Sequence, residues 1–171
     1  MILRENKGAL LYSRIEAPRP ARQGTSKQEL MDSKLSSRRD LIRRTALQKY
    51  LLIAVGGALG SIARYWVGTA VSARMGLRFP YGTFVVNLTA CLIIGFSLTF
   101  LGKRADFNPA WRFLIPVGFI GAYSTFSTYE WETLTDIRSG AFAIAALYAI
   151  GSLVVGLAAT WCGAALAEAL S

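Results

Sequence analysis

The 171-residue chain contains no histidine and only two cysteines, Cys91 and Cys162. Without histidine, and with no C-x-x-C pair, it lacks the donors for a zinc centre or a His-based catalytic site. Both cysteines lie inside apolar blocks and read as small buried hydrophobes. Acidic residues are also scarce. Of the ten, five fall in residues 1–50, and Tyr50 to Ser72 contains none. Phe79 to Gly102, Phe113 to Tyr129 and Ser139 to Ala167 carry no charge of either sign. No base and nucleophile stand together in a recognisable pattern, which argues against an enzyme. The absence of a carboxylate deep in these segments argues against proton-coupled transport, which relies on a titratable group within the membrane.

What the chain has instead is long apolar runs. Hydrophobic residues make up 53% of it, gathered in blocks that point to a polytopic membrane protein. The 24 residues from Phe79 to Gly102 would span roughly 36 Å as a helix, enough to cross with some tilt. The expected spans are 50–72, 79–102, 111–134 and 139–167, joined by short loops. The fold class is therefore all-α: four transmembrane helices, with the third broken near its middle.

The net charge of +9 is unevenly placed. Residues 1–50 hold 12 of the 19 Lys and Arg and 5 of the 10 acids, so +7 sits there and +2 in the rest. Residues 1–46 lack sustained periodicity and are expected to be a mostly disordered basic tail ahead of a membrane domain over 47–171. Within this region Arg38 to Lys49 has the composition of a short basic amphipathic helix. Attraction to anionic lipid headgroups accounts for the basic charge better than nucleic acid does. No secretory signal is expected in the tail. The loops carry Lys103, Arg104 and Arg112 on one side and Arg74, Arg78 and Arg138 on the other, which gives no bias by the positive-inside rule.

Polar residues inside the apolar blocks are few. Segment one carries Gly56 and Gly60 in a G-x-x-x-G spacing suited to close helix approach, and Arg64, whose cost in hydrocarbon suggests a structural role at the interface or in an ion pair. Segment two places Thr83 and Asn87 four residues apart on one face. Segment four does the same with Tyr148 and Ser152. Segment three reads GFIGAYSTFSTYEWE from Gly118 to Glu132. Gly121, Ser124, Thr125, Ser127 and Thr128 interrupt the span there, and Phe126 and Tyr129 follow at i, i+3. A helix broken at membrane depth survives only inside protein or beside water, and marks a candidate ion or substrate site. Hydroxyls, an amide and ring edges form a set of neutral donors that can replace the hydration shell of a small anion without trapping it.

The stretches GGALGSIARY, YGTFVVN and GFIGAYSTFSTYEWE resemble, in order and spacing, the signature motifs of the CrcB, or Fluc, fluoride channels. The resemblance covers Tyr50 to Leu170. It implies a passive, fluoride-specific export channel in the cell (inner or plasma) membrane. Such channels are antiparallel, dual-topology homodimers with two pores and a structural sodium ion at the dimer centre. By resemblance, Thr83, Asn87, Phe126, Tyr129, Tyr148 and Ser152 line the fluoride pathway. The backbone carbonyls of Gly121 and Ser124 hold the sodium, and Arg64 and Glu132 are structural. Partners would be fluoride, the lipid bilayer and a second copy, or an oppositely oriented paralogue, with no nucleic acid. Tyr129 stands where the family usually has Phe, Ser124 where it has Thr, and Ala90 and Ala122 where it has Gly. Gly156 lacks a hydroxyl found in some members, and the tail lies outside the pattern. Two other readings are a small proton-coupled exporter, which would need an acid in segment one, and a non-transporting anchor whose basic tail recruits lipid or a partner.

Overall fold

The computed structural model describes residues 25–76, 78–104 and 107–171. The chain divides into two units, Met1–Leu41 and Ile42–Ser171. Helix α1 (Thr25–Met75) contributes residues to both. The other elements are α2 (Tyr81–Lys103), α3 (Ala110–Arg112), a π-helical stretch (Phe113–Ile120), α4 (Gly121–Tyr123), α5 (Phe126–Arg138) and α6 (Phe142–Ala169). No strand occurs among the described residues.

The start of α1 corrects one expectation. Residues 25–46, expected to be mostly disordered, are helical. The reason lies in local composition: between Thr25 and Tyr50 there is no Gly or Pro, and Leu, Lys, Arg, Gln and Ala, all good helix formers, dominate. The expectation for residues 1–24 falls outside the described residues. In the first unit, the described side chains from Lys27 to Leu41 are exposed.

In the second unit, α1, α2 and α6 are each long and apolar enough to cross a membrane. The expected third span is instead a run of short pieces. Pro116 sits within the π-helical stretch. It has no N–H to donate, and its ring would press on a carbonyl one turn back in an α-helix, so a wider turn relieves both problems.

Glycines set the helix contacts. A Cβ at Gly56 would fall on the Leu114 carbonyl oxygen, and one at Gly60 on that of Phe119. The G-x-x-x-G face of α1 is thus spent on the π-helical stretch of its own chain, and the two run parallel. On the other side, a Cβ at Gly156 would meet Cys91, one at Gly95 would meet the Thr160 carbonyl and one at Gly163 that of Leu92; with Lys103 beside Glu168, α2 runs parallel to α6. The first helix meets α2 antiparallel, with Gly82 against the backbone of Gly68. A small core of Val86, Ala90, Ile120 and Tyr123 lies just ahead of the break in the third segment. Ala90 is buried in it, so its methyl fills core space. The methyl of Ala122 would make ordinary contact with a side chain at Gly57, 3.9 Å away.

The basic residues of one end gather together. Lys49 lies 5.1 Å from the Phe113 ring centroid, Arg104 sits over Phe100, Arg112 donates to the Leu101 carbonyl, and Lys103 pairs with Glu168. Cys91 is half-buried, but Cys162 is exposed on α6, contrary to the expectation that both would be buried. A thiol tolerates an apolar exterior as well as an interior.

Candidate functional site

The site is built around the two-residue interruption between α4 and α5. Ser124 (φ −74°, ψ 157°) and Thr125 (φ −148°, ψ 110°) are extended. Leaving the helical conformation frees carbonyls before the break and N–H groups after it. The chain supplies replacements. Ser124 Oγ donates to the Ile120 carbonyl at 3.1 Å. Thr125 acts as the N-cap of α5, its Oγ1 accepting the Thr128 N–H at 3.3 Å, a position where Thr is favoured for that reason. The remaining pair comes from α2. Asn87 Oδ1 accepts the Thr125 N–H at 2.8 Å, and Asn87 Nδ2 donates to the Thr125 carbonyl at 3.1 Å.

One turn earlier on α2, Thr83 Oγ1 donates to Glu132 Oε1 at 2.8 Å. From α6, the Tyr148 hydroxyl donates to Glu132 Oε2, also at 2.8 Å. Glu132 therefore ties α2, α5 and α6 together, and each of its oxygens receives one hydroxyl. The Tyr148 side chain is fully buried. Its ring lies edge-on to Phe79 at 5.4 Å and 5.1 Å from Tyr129. Tyr129 in turn is 5.7 Å from Phe126, the rings tilted by 35°. The result is an aromatic file from Phe79 to Phe126, which itself is 74% exposed. The Tyr129 hydroxyl donates to the Ala149 carbonyl at 3.2 Å, so the extra oxygen relative to Phe anchors α5 to α6. Ser152 follows Tyr148 by one turn of α6, and its Oγ is buried without a hydrogen-bond partner.

The structure thus brings together Thr83, Asn87, Glu132, Tyr129, Tyr148 and Phe126, with Ser152 adjacent along α6. Gly121 lies in α4, ahead of the break, and Ser124 is the first residue of the break. Arg64 makes no ion pair or hydrogen bond among the described residues. It lines a cavity of about 790 Å³ together with Thr69, Ser72, Thr83, Thr125 and Thr128. Sequence reasoning missed the part played by Thr125. Its signal was a Thr three residues ahead of Thr128 at the start of a helical segment. It also missed the Thr89 to Tyr123 hydroxyl contact at 2.8 Å, which no local pattern announces. No group of three or more His, Cys, Asp or Glu able to hold a metal occurs among the described residues.

Three long apolar helices and a broken, polar-lined segment define a multi-pass helical membrane protein whose polar groups converge inside the bundle. The family described as "CrcB-like protein, Camphor Resistance (CrcB)" matches residues 51–164, and the chain belongs to it. A protein of Acidobacterium capsulatum named fluoride-specific ion channel FluC is 54% identical over 115 residues, covering 67% of this chain and 92% of that one. The protein of the same name from Solibacter usitatus is 51% identical over 120 residues, covering 70% and 98%. That from Oceanobacillus iheyensis is 37% identical over 121 residues, covering 71% and 92%.

Proposed function

We propose that this protein is a fluoride-specific ion channel of the cell membrane that lowers cytoplasmic fluoride by passive export. It works as an antiparallel, dual-topology pair with two pathways and a sodium ion at the centre. The observation that carries the reading is the placement of donors without acceptors beside the aromatic file. Ser152 Oγ is buried with no partner, and Asn87 Nδ2, which has two N–H groups, gives one to Thr125. Unmet donors in an apolar interior are costly. They become useful when a small anion passes, since each can replace part of its hydration shell. Ring edges of Phe126 and Tyr129 add the positive rim of the quadrupole. Fluoride enters a cell as its neutral acid and is trapped as the anion at higher internal pH, so an open anion pathway leads outward.

Pairing is supported by what a single chain leaves uncovered. The cavity beside Arg64 is lined by four threonines and a serine, groups that lipid cannot satisfy. Gly121 is exposed, and a Cβ there would meet only the Pro116 carbonyl at 3.9 Å. Its own chain does not demand glycine, whereas a second copy crossing closely would. Sodium prefers oxygen ligands, as other hard cations do. The break frees carbonyls in the turn containing Gly121 and Ser124, which fits an oxygen-only site, but two carbonyls from one chain are too few to enclose a cation. A second copy would double them. When bound, the ion would supply positive charge that holds the two breaks together. An oppositely oriented paralogue would serve as the partner equally well.

The test is fluoride efflux from liposomes containing the full chain, read with a fluoride electrode against a chloride control. Rapid fluoride-only efflux that collapses in Phe126→Ala is the expected result. Equal chloride efflux, or none of either ion from folded protein, would overturn the reading.

A further inference from the structure

We propose that Asn87 is the positioning residue that sets the helix break, in addition to offering a donor to the ion. This rests on the reading of Phe126 and Tyr129 as pathway rings. The argument starts from the direction of peptide groups. In a helix, the N–H and C=O of one residue point opposite ways along the axis, so no single side chain can take both. In an extended residue they point to the same side, as along a sheet edge. Thr125 is extended, and the Asn87 carboxamide meets both of its groups, accepting at 2.8 Å and donating at 3.1 Å. A carboxamide is the side-chain copy of a peptide unit. Here it pairs with Thr125 as a neighbouring strand would.

Asn87 therefore has this pairing to offer only to the broken form of the third segment. Thr125 is 8% exposed, and a buried unpaired peptide group is costly. The platform is firm. On α2, Val86 and Ala90 flank Asn87 and pack against Ile120 and Tyr123, the residues just before the break. With Thr125 held extended, its hydroxyl caps the next helix through Thr128, and Phe126 becomes the first residue of α5. The register of the ring pair thus follows from Asn87. Without this carboxamide, Thr125 is free to return to helix, rotating both rings away from the donors on α2 and α6.

The test uses the full chain in lipid nanodiscs for amide hydrogen exchange, and in liposomes for fluoride efflux. In Asn87→Ala, exchange of the segment 121–129 is expected to rise at least about tenfold, since both hydrogen bonds from Asn87 to Thr125 are lost. Segments of α2 and α6 should keep their protection, and fluoride efflux should fall. Loss of efflux with unchanged exchange at the break would mean that Asn87 acts on the ion alone and would overturn the proposal. Asn87→Asp gives an independent arm if the alanine variant does not fold. A protonated carboxyl both donates and accepts, and so reproduces the pairing. A carboxylate repels the Thr125 carbonyl. Protection of 121–129 in Asn87→Asp, corrected for the intrinsic exchange rate, should be present at low pH and lost as pH rises through that carboxyl's pKa. In the wild type it should stay flat. A flat profile in Asn87→Asp would also overturn the proposal. Exchange needs no conduction, so its failure is separable from failure of the channel reading, which wild-type efflux tests.

Discussion

Removing single hydroxyls from Tyr148 and Tyr129 should have unequal effects, and the structure sets the order. Tyr148→Phe deletes one oxygen from a fully buried side chain and leaves its ring against Phe79 and Tyr129. The lost bond, 2.8 Å to Glu132 Oε2, leaves a half-buried carboxyl oxygen unmet. That costs about 1–3 kcal/mol. Tyr129→Phe deletes a longer bond, 3.2 Å, to the Ala149 carbonyl. That carbonyl lies within α6, where it keeps its helical partner, so the loss is about 0.5–1 kcal/mol. Unfolding by SDS titration in mixed micelles measures both. Thr83→Val added to Tyr148→Phe should be non-additive by about 0.5–3 kcal/mol, because both hydroxyls serve one carboxyl group. Equal costs for the two tyrosine variants, or strict additivity of the pair on Glu132, would refute the reasoning that Glu132 joins α2, α5 and α6.

Three other outcomes are expected. Gly163→Ala should destabilise the fold by about 1–3 kcal/mol or more, since its Cβ would fall on the Leu92 backbone and force α2 and α6 apart; a thermal melt in detergent checks this against the open position Gly151. Phe126→Ala should cut fluoride efflux at least about tenfold with little change in melting temperature, because the ring is exposed in one chain; equal loss of stability would assign the ring to the fold. Removing residues 1–45 should leave fluoride efflux in liposomes unchanged, while a terminal reporter in cells should show a more even split between the two orientations, because the truncation takes away 11 of the 19 basic residues.

The sequence by itself determined where the apolar helices lie, because the span-length requirement leaves its mark on uncharged runs. The helices α2 and α6 begin and end within a few residues of the expected spans. It also determined that the third segment breaks, since small and hydroxylic residues at Gly121 to Thr128 are local facts. The basic tail was misread where its helix-forming composition mattered more than its charge. What only the tertiary structure decided is how each polar group is used. Thr83 meets Glu132 across 49 residues of sequence, and Asn87 meets Thr125 across 38. The glycines of α1 meet carbonyls of the third segment. Periodicity reports which face of a helix a residue occupies. It does not report which distant helix comes to rest on that face, and hydrogen-bond satisfaction in an apolar interior depends on that meeting. Whether the donors of Asn87 and Ser152 are committed or spare was for that reason settled by packing.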